Sequence, residues 1–246
     1  DKSDNDIALL AENVSAEAFA IHDGELETDR RIGENGAVLL RDGMTVLTHC
    51  NAGGLATAGY GTALGVIKTA HEQGKRISVF ADETRPLLQG SRLTAWELTR
   101  AGIDVTVLCD NAAASLFAAG RIDAVVTGAD RIVLNGDSAN KIGTLGLAVL
   151  CGKYDVPMYI AAPWSTFDLT IGNGSGIPIE ERDPGEVRSF AGVSTAPEEA
   201  KVYNPAFDVT PAELLTAIIT ETCVIEAPDR EKIGAAAREA GILKPE

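Results

Sequence analysis

From Met44 onward the chain alternates short runs of branched apolar residues with longer segments whose apolar positions recur every three or four residues. Met44–Thr48, Ile77–Ala81, Val105–Cys109, Ile122–Thr127 and Pro157–Ala162 read as buried strands. Ala56–Glu72, Ser91–Ala101, Asn111–Ala118 and Lys141–Lys153 read as the helices between them. Such alternation builds a parallel sheet with helices on both faces. Before Met44, residues 7–40 alternate apolar and charged groups at helical spacing. They predict one or two helices ending near Gly33 or Asp42-Gly43, with Asp23, Glu25, Glu27, Asp29, Arg30 and Arg31 toward solvent. Residues 1–43 are thus a helical lead-in to one α/β domain, residues 44–246.

Beyond Pro163 the pattern lapses. Gly172–Gly176 is a flexible turn and Glu180–Pro184 is polar, so residues 163–200 form a long excursion, either a hairpin-bearing loop or a partner-facing arm. Thr210-Pro211-Ala212-Glu213 is a capping box with proline at the first helical position, which predicts a helix through Leu214–Thr220. A last helix covers Asp229–Ala240. His22 and His71 read as surface residues of helices.

Composition narrows the classes. Of 246 residues 45% are apolar, enough for a sizeable core and against disorder. The net charge of −15 argues against nucleic acid or an anionic membrane as partner, though not against a phosphorylated metabolite held by backbone amides and one or two local cations. No apolar run reaches membrane-spanning length, and the polar start is unlike a secretory signal, so a cytoplasmic location is expected. The sequence begins at Asp1 rather than Met, as a trimmed or partial chain would. The four cysteines are widely spaced without a C-x-x-C pair, which disfavours a disulfide framework or a zinc site. Cys109, Cys151 and Cys223 sit in apolar runs, as buried structural thiols do.

In parallel sheets ligands gather at the carboxyl ends of strands, so the residues just after each strand are the candidates. Cys50 ends the first strand between polar His49 and Asn51, ahead of Gly53-Gly54. Aimed at a helix N-terminus, its thiolate would be favoured by the helix dipole; as a small hydrophobe it would be structural. Asp130 follows the apolar run Ala124–Ala129. It either caps a turn or stays partly desolvated with a raised pKa, as a general acid does. Asn140-Lys141 opens a predicted helix, where a lysine runs against the dipole and suggests an anion or hydroxyl ligand; the alternative is a solvated lysine. Arg85 pairs with Glu83 or Asp82, and Gln89 on the same loop could hydrogen-bond sugar hydroxyls. Gly53-Gly54 let a ligand approach the backbone, while Gly61 and Gly65 allow close helix packing. The glycines do not make a dinucleotide fingerprint: Leu64 stands where the third glycine of Gly59-x-Gly61 belongs, and no Walker loop is present. Gly136-Asp-Ser138-Ala-Asn140 lacks the last glycine of a nucleophile elbow.

Five ordered segments carry a resemblance: Thr48–Gly65, Glu83–Gly90, Gly128–Arg131, Asn135–Thr144 and Asn204–Pro211. From about residue 20 onward the chain resembles methylthioribose-1-phosphate isomerases, in the family shared with ribose-1,5-bisphosphate isomerases and initiation-factor regulatory subunits. Ala56–Gly61 and Gly136–Lys141 resemble the methylthioribose branch. The resemblance implies a Rossmann-like sheet behind the remnant of a helical N-terminal domain. It implies an aldose–ketose isomerase of methionine salvage that converts 5-methylthioribose 1-phosphate to 5-methylthioribulose 1-phosphate. Asp130 matches the acid that protonates the ring oxygen. Cys50 matches the group that supports hydrogen transfer from C2 to C1, as a base or by stabilising a hydride shift. Gln89, Asn140 and Lys141 match substrate contacts. Neither metal nor organic cofactor is implied, and the family forms homodimers. Its N-terminal domain carries an Arg-Gly-Ala motif and a further arginine for phosphate, of which residues 1–40 match only the tail; the upstream part was removed, lies in a separate piece or is truly lacking, and in the first two cases the phosphate-holding half of the site lies outside this sequence. A related phosphopentose isomerase and a non-catalytic sugar-phosphate or nucleotide-binding regulatory module are the alternatives. Asp82 and Cys223 have no assigned role.

Overall fold

The structure is a computed structural model describing residues 2–243, with side chains from Ile7 onward. The chain opens with a long helix α1 (Lys2–Ala37), then β1 (Thr45–Thr48), α2 (Ala63–Glu72), β2 (Ser78–Asp82), α3 (Ala95–Arg100), β3 (Asp104–Leu108), α4 (Ala113–Ala118) and β4 (Ala124–Thr127). There follow β5 (Arg131–Val133), β6 (Ser138–Lys141), α5 (Thr144–Tyr154), β7 (Met158–Ala161), β8 (Phe167–Asp168), α6 (Gly185–Arg188), β9 (Ser189–Phe190) and β10 (Val193–Ser194). The last elements are β11 (Phe207–Thr210), β12 (Ala217–Ile219), β13 (Val224–Glu226) and α7 (Arg230–Glu239).

The main sheet runs β13-β12-β7-β4-β1-β2-β3, parallel throughout except for β13. Counting only the parallel strands, the chain starts in the middle, builds outward through β2 and β3, then returns to build the other half through β4, β7 and β12. This is the Rossmann-like strand order, and its reversal lies between β1 and β4. Side-chain alternation shows both faces covered. Val46, Val126 and Ala161 join the core with Ile32, Leu64 and Ile67, while Leu47, Val125 and Ile160 join the core with Phe117, Leu147 and Ile233. A second sheet, β11-β6-β5-β8, stands beyond the tip of β4.

Several expected elements differ. The lead-in is a single helix that passes through Gly33, because Gly33 and Gly36 let it close on α2: a Cβ at either would overlap Thr69 or Val66. Asp29 on that helix is fully buried rather than solvent-facing, and Glu25 is half-buried. The helix expected from Ala56 begins only at Ala63. Residues 54–62 form a loop because buried carboxylates capture its backbone: Gly54 and Leu55 N–H donate to Glu97, and Gly61 N–H donates to Asp29. Gly53, Gly54, Gly59 and Gly61 therefore lie outside the helix, and Gly61 (φ +95°) packs on Gly53 rather than on a helix. Asn140-Lys141 ends strand β6, paired with Asp208 and Phe207, so Lys141 is not at a helix start. The helix begins at Thr144, its first amides held by the Asp208 carboxylate, which accepts from Gly143 N at 2.7 Å and Leu145 N at 3.0 Å. The Thr210–Glu213 box starts only one 3-10 turn, Ala212–Leu214. Asp137 accepts from Ala212 N at 2.9 Å, and the apolar Ala217–Ile219 goes into the main sheet instead. Local capping lost to tertiary strand pairing at both places. Cys109 is exposed on the edge strand's end and Cys223 half-buried; only Cys151 is a buried structural thiol. The excursion does carry a hairpin, β9–β10.

Candidate active site

The crevice where the strand order reverses lies between the carboxyl ends of β1 and β4, which pair directly through Val46 with Ala124 and Leu47 with Val125. Cys50 comes two residues past one tip and Asp130 three past the other. They meet in a cavity of about 470 Å³ lined by Cys50, Gln89, Asp130, Asn140 and Lys141, within the usual range for a small ligand.

Cys50 adopts a left-handed backbone, φ +62°, which a side-chain-bearing residue holds only when its surroundings insist. Two threonines do so. Cys50 N donates to Thr84 Oγ1 at 2.8 Å, and Thr94 Oγ1 donates to the Cys50 carbonyl at 2.6 Å. Thr84 is itself left-handed, with its amide and that of Arg85 each donating 2.7 Å to the Asp110 carboxylate. Burial pushes the Cys50 thiol up; the Asn51 amide and Lys141 pull it down and Asp130 pushes it up again, so the net shift is upward. Cys50 is therefore a thiol at neutral pH. The dipole-stabilised thiolate expected from the sequence is not present, because the helix expected from Ala56 starts seven residues later, at Ala63.

Asp130 opens onto the cavity and is solvent-accessible. The close walls push its carboxyl upward, partly offset by Lys141. Lys141 is buried at 8% exposure, its Nζ donating 3.0 Å to the Ala206 carbonyl and lying 4.6 Å from the Phe207 ring centre. Among the described residues no carboxylate lies within ion-pair distance of it, an unusual state for a buried cation and one that an anionic ligand would relieve. Asn140 is held by Thr144 at 3.0 Å. Gln89 Oε1 is buried without a hydrogen-bond partner while the residue lines the cavity, leaving an acceptor open for a hydroxyl.

Gly53 and Gly54 do not line the cavity. A Cβ on Gly53 would meet the Glu97 carboxylate, and one on Gly54 would overlap Gly59, so these glycines close the loop on itself. Arg85 pairs with neither Glu83 nor Asp82; it donates to the Pro86 and Val187 carbonyls at 3.1 Å each. Glu25, Asn51, Ser165 and Phe207 line the cavity without having been singled out. Glu25 and Ser165 gave no local signal. Asn51 and Phe207 lay within the ordered segments. Among the described residues His49, Asp82 and Asp110 gather with potential metal-ligating atoms within 4.8 Å. Their atoms are committed, though: His49 Nδ1 to Asp82, Nε2 to the Ile142 carbonyl, and both Asp110 oxygens to backbone amides.

The sequence profile described as Initiation factor 2 subunit family matches residues 1–227. The chain belongs to that family. Among its similar relatives are the methylthioribose-1-phosphate isomerase of Geotalea uraniireducens, 58% identical over 229 residues, and the 5-deoxyribose 1-phosphate isomerase of Moorella thermoacetica, also 58% identical over 229 residues. These alignments cover 93% of this chain and 66% and 65% of the relatives, so the chain spans just under two thirds of their length. A solved family structure, 5-methylthioribose 1-phosphate isomerase from Pyrococcus horikoshii, superposes with a TM-score of 0.90 at 45% identity, covering 93% of this chain and 64% of that one. The α/β architecture with its long N-terminal helix is thus the family's own. Among the described residues of this family member no helix is long and apolar enough to cross a membrane.

Proposed function

We propose that this chain carries the catalytic sheet of an aldose–ketose isomerase acting on a pentose 1-phosphate, converting 5-methylthioribose 1-phosphate to 5-methylthioribulose 1-phosphate in methionine salvage. The observation that carries the reading is the shared cavity at the sheet's switch point, where an upward-shifted carboxyl, a thiol, an unpaired buried lysine and an unsatisfied glutamine acceptor converge. Asp130 donates its proton to the ring oxygen, and the C1–O bond of the ring breaks. Hydrogen then moves from C2 to C1, the C2 hydroxyl proton leaves to the freed Asp130 carboxylate, and C2 becomes the ketone. Atoms and charge balance, and Asp130 returns to its starting state. Cys50, protonated and half-buried, supports the transfer by shielding C1 and C2 from water, which favours a hydride shift over abstraction by thiolate. Lys141 neutralises phosphate charge; Gln89 and Asn140 orient hydroxyls. Residues 44–246 serve as the catalytic domain with 1–43 leading in, and the protein works as a cytoplasmic homodimer.

The relative named for 5-deoxyribose 1-phosphate favours a second substrate of the same class, because both sugars end in an apolar C5 substituent. The test is a panel of 5-methylthioribose, 5-deoxyribose and ribose 1-phosphates and ribose 1,5-bisphosphate, offered to the full-length protein with ketose formation measured. Turnover of the first two supports the reading. Thermal stabilisation by a ligand with no ketose formed would replace it with a binding module. Lys141→Met should raise KM for the working substrate by about tenfold or more with a smaller change in kcat, since a hydrogen bond to a charged group contributes about 1.5–3 kcal/mol. A KM unchanged in steady-state assays would remove Lys141 from the phosphate's surroundings.

A further inference from the structure

His49 is the residue before Cys50, is 2% exposed, and does not itself line the cavity. Its Nε2 lies 2.8 Å from the carbonyl oxygen of Ile142, the residue after Lys141. A carbonyl only accepts, so Nε2 carries a proton and donates. Its Nδ1 lies 2.9 Å from Asp82 Oδ2. The ring packs on Gly143, where a Cβ would stand 2.9 Å from Cε1 and where φ is +108°. The charged groups facing it are Asp82 from β2, Asp110 beyond β3 and Asp208 from β11. One imidazole therefore bridges the tip of β1, which carries Cys50, and the turn after β6, which carries Lys141.

We propose that the His49–Ile142 tether, with the ring oriented by Asp82, is a positioning device that sets the approach of Lys141 to Cys50. The ring cannot slide, because Asp82 fixes one nitrogen and the Ile142 carbonyl the other. Asp82 has only one other oxygen, and it is buried without a partner, so the carboxyl has no competing hold. Lys141 lies close enough to draw the Cys50 thiol downward, which makes the thiol a reporter of that approach. The inference rests on the roles given to Cys50 and Lys141 above.

Two substitutions separate the tether from the ring. In His49→Gln the side-chain amide reaches the Nε2 position and still donates to Ile142; in His49→Asn it reaches only the Nδ1 position and the bridge is lost. His49→Asn should lower kcat by about a hundredfold with KM moved by less than about threefold, while His49→Gln stays within about fivefold of the parent, the pattern of a displaced but intact site. Alkylation of Cys50 by iodoacetamide, followed peptide by peptide because Cys109 is also exposed, should show a pH midpoint about one unit higher in His49→Asn than in the parent. Equal damage in both variants, or an unchanged midpoint in His49→Asn, overturns the proposal. If His49→Asn does not fold, the unsubstituted site decides it. With His22 and His71 replaced by Asn, the one remaining histidine should give a slowly exchanging Nε2–H resonance by NMR, and its absence refutes the tether. Alkylation and NMR need no turnover, so failure of the isomerase reading leaves them standing as separate results.

Discussion

Asp130→Asn is expected to cut kcat by about a thousandfold, within the span that a positioned acid supplies. The Asp130 side chain makes no hydrogen bond within the described structure and faces an open cavity, so Asn should leave stability within about 0.5 kcal/mol of the parent. Loss of turnover without loss of fold is the distinguishing outcome; near-parental kcat would remove Asp130 from the chemistry. The pH dependence has a definite sign. In the proposed reaction Asp130 works protonated, and its pKa is raised above the ordinary 3.8 by partial loss of water. Activity is therefore expected to be full below its pKa and to decline as pH rises through it, and substrate that takes the place of water beside the carboxyl moves that decline upward. Cys50 adds a second discriminant. If a thiolate removed the C2 proton, activity would have to rise toward alkaline pH, because burial holds the thiol protonated. Under the hydride path no such rise occurs, Cys50→Ala reduces turnover less than Asp130→Asn does, and deuterium placed at C2 is retained at C1 of the ketose. Washout of that label into solvent would restore the thiolate to the base role.

What the sequence disclosed and what it withheld divide along a physical line. The strand–helix alternation was legible because a sheet buried on both faces needs continuous apolar strands, and Val46/Leu47 and Val125/Val126 serve opposite cores at adjacent positions. That Cys50 and Asp130 would face one crevice was legible because strand tips at a switch point are where such sheets bind ligands. Lys141 was found for a reason that the structure replaces: its interest lies in being a buried cation on a strand with, among the described residues, no carboxylate within ion-pair distance, not in opposing a helix dipole. The errors share one cause. Thr210–Glu213, Asn140-Lys141 and Ala56–Tyr60 carry respectable local helix signals, and each is overruled by a partner more than sixty residues away or by a carboxylate from another element. Asp137 takes Ala212, strand β11 takes Lys141, and Glu97 takes Gly54 and Leu55. No local pattern encodes such partners. The same holds for His49 and Asp82, whose pairing joins consecutive strands of the sheet and gives no spacing motif to read.

Glu97→Ala should be strongly destabilising, and the contacts it removes explain why the Cys50 loop is ordered. Glu97 is 6% exposed. Oε2 accepts from Lys68 Nζ at 2.9 Å and from Gly54 N at 2.8 Å, and Oε1 accepts from Asn51 Nδ2 at 3.0 Å and Leu55 N at 3.3 Å. Burial pushes its carboxyl up, but the Lys68 and Asn51 hydrogen bonds and the Lys68 charge outweigh that and hold it below the ordinary 4.5. Its folded pKa being the lower one, its contribution is complete above the unfolded value and is lost only as pH falls through the folded one, in acid below the ordinary carboxylate value. Removing the carboxylate leaves the half-buried Lys68 with the Tyr60 carbonyl but no counter-charge and frees three loop donors, at a cost of about 3–5 kcal/mol. For a chain of this size that is a fall of about 10 °C in Tm, measurable by calorimetry at neutral pH. Glu97→Gln keeps acceptors for part of the loop and should lose less than half as much. Lys68→Met combined with Glu97→Gln should recover part of that loss, because no charge is then stranded. A Tm within two degrees of the parent for Glu97→Ala, a change of about 1 kcal/mol or less, would mean that the glycines alone shape the loop. Otherwise the left-handed Cys50 depends on a carboxylate 47 positions further along the chain, which supports the neighbouring Asn51 from below and fixes where the thiol can stand.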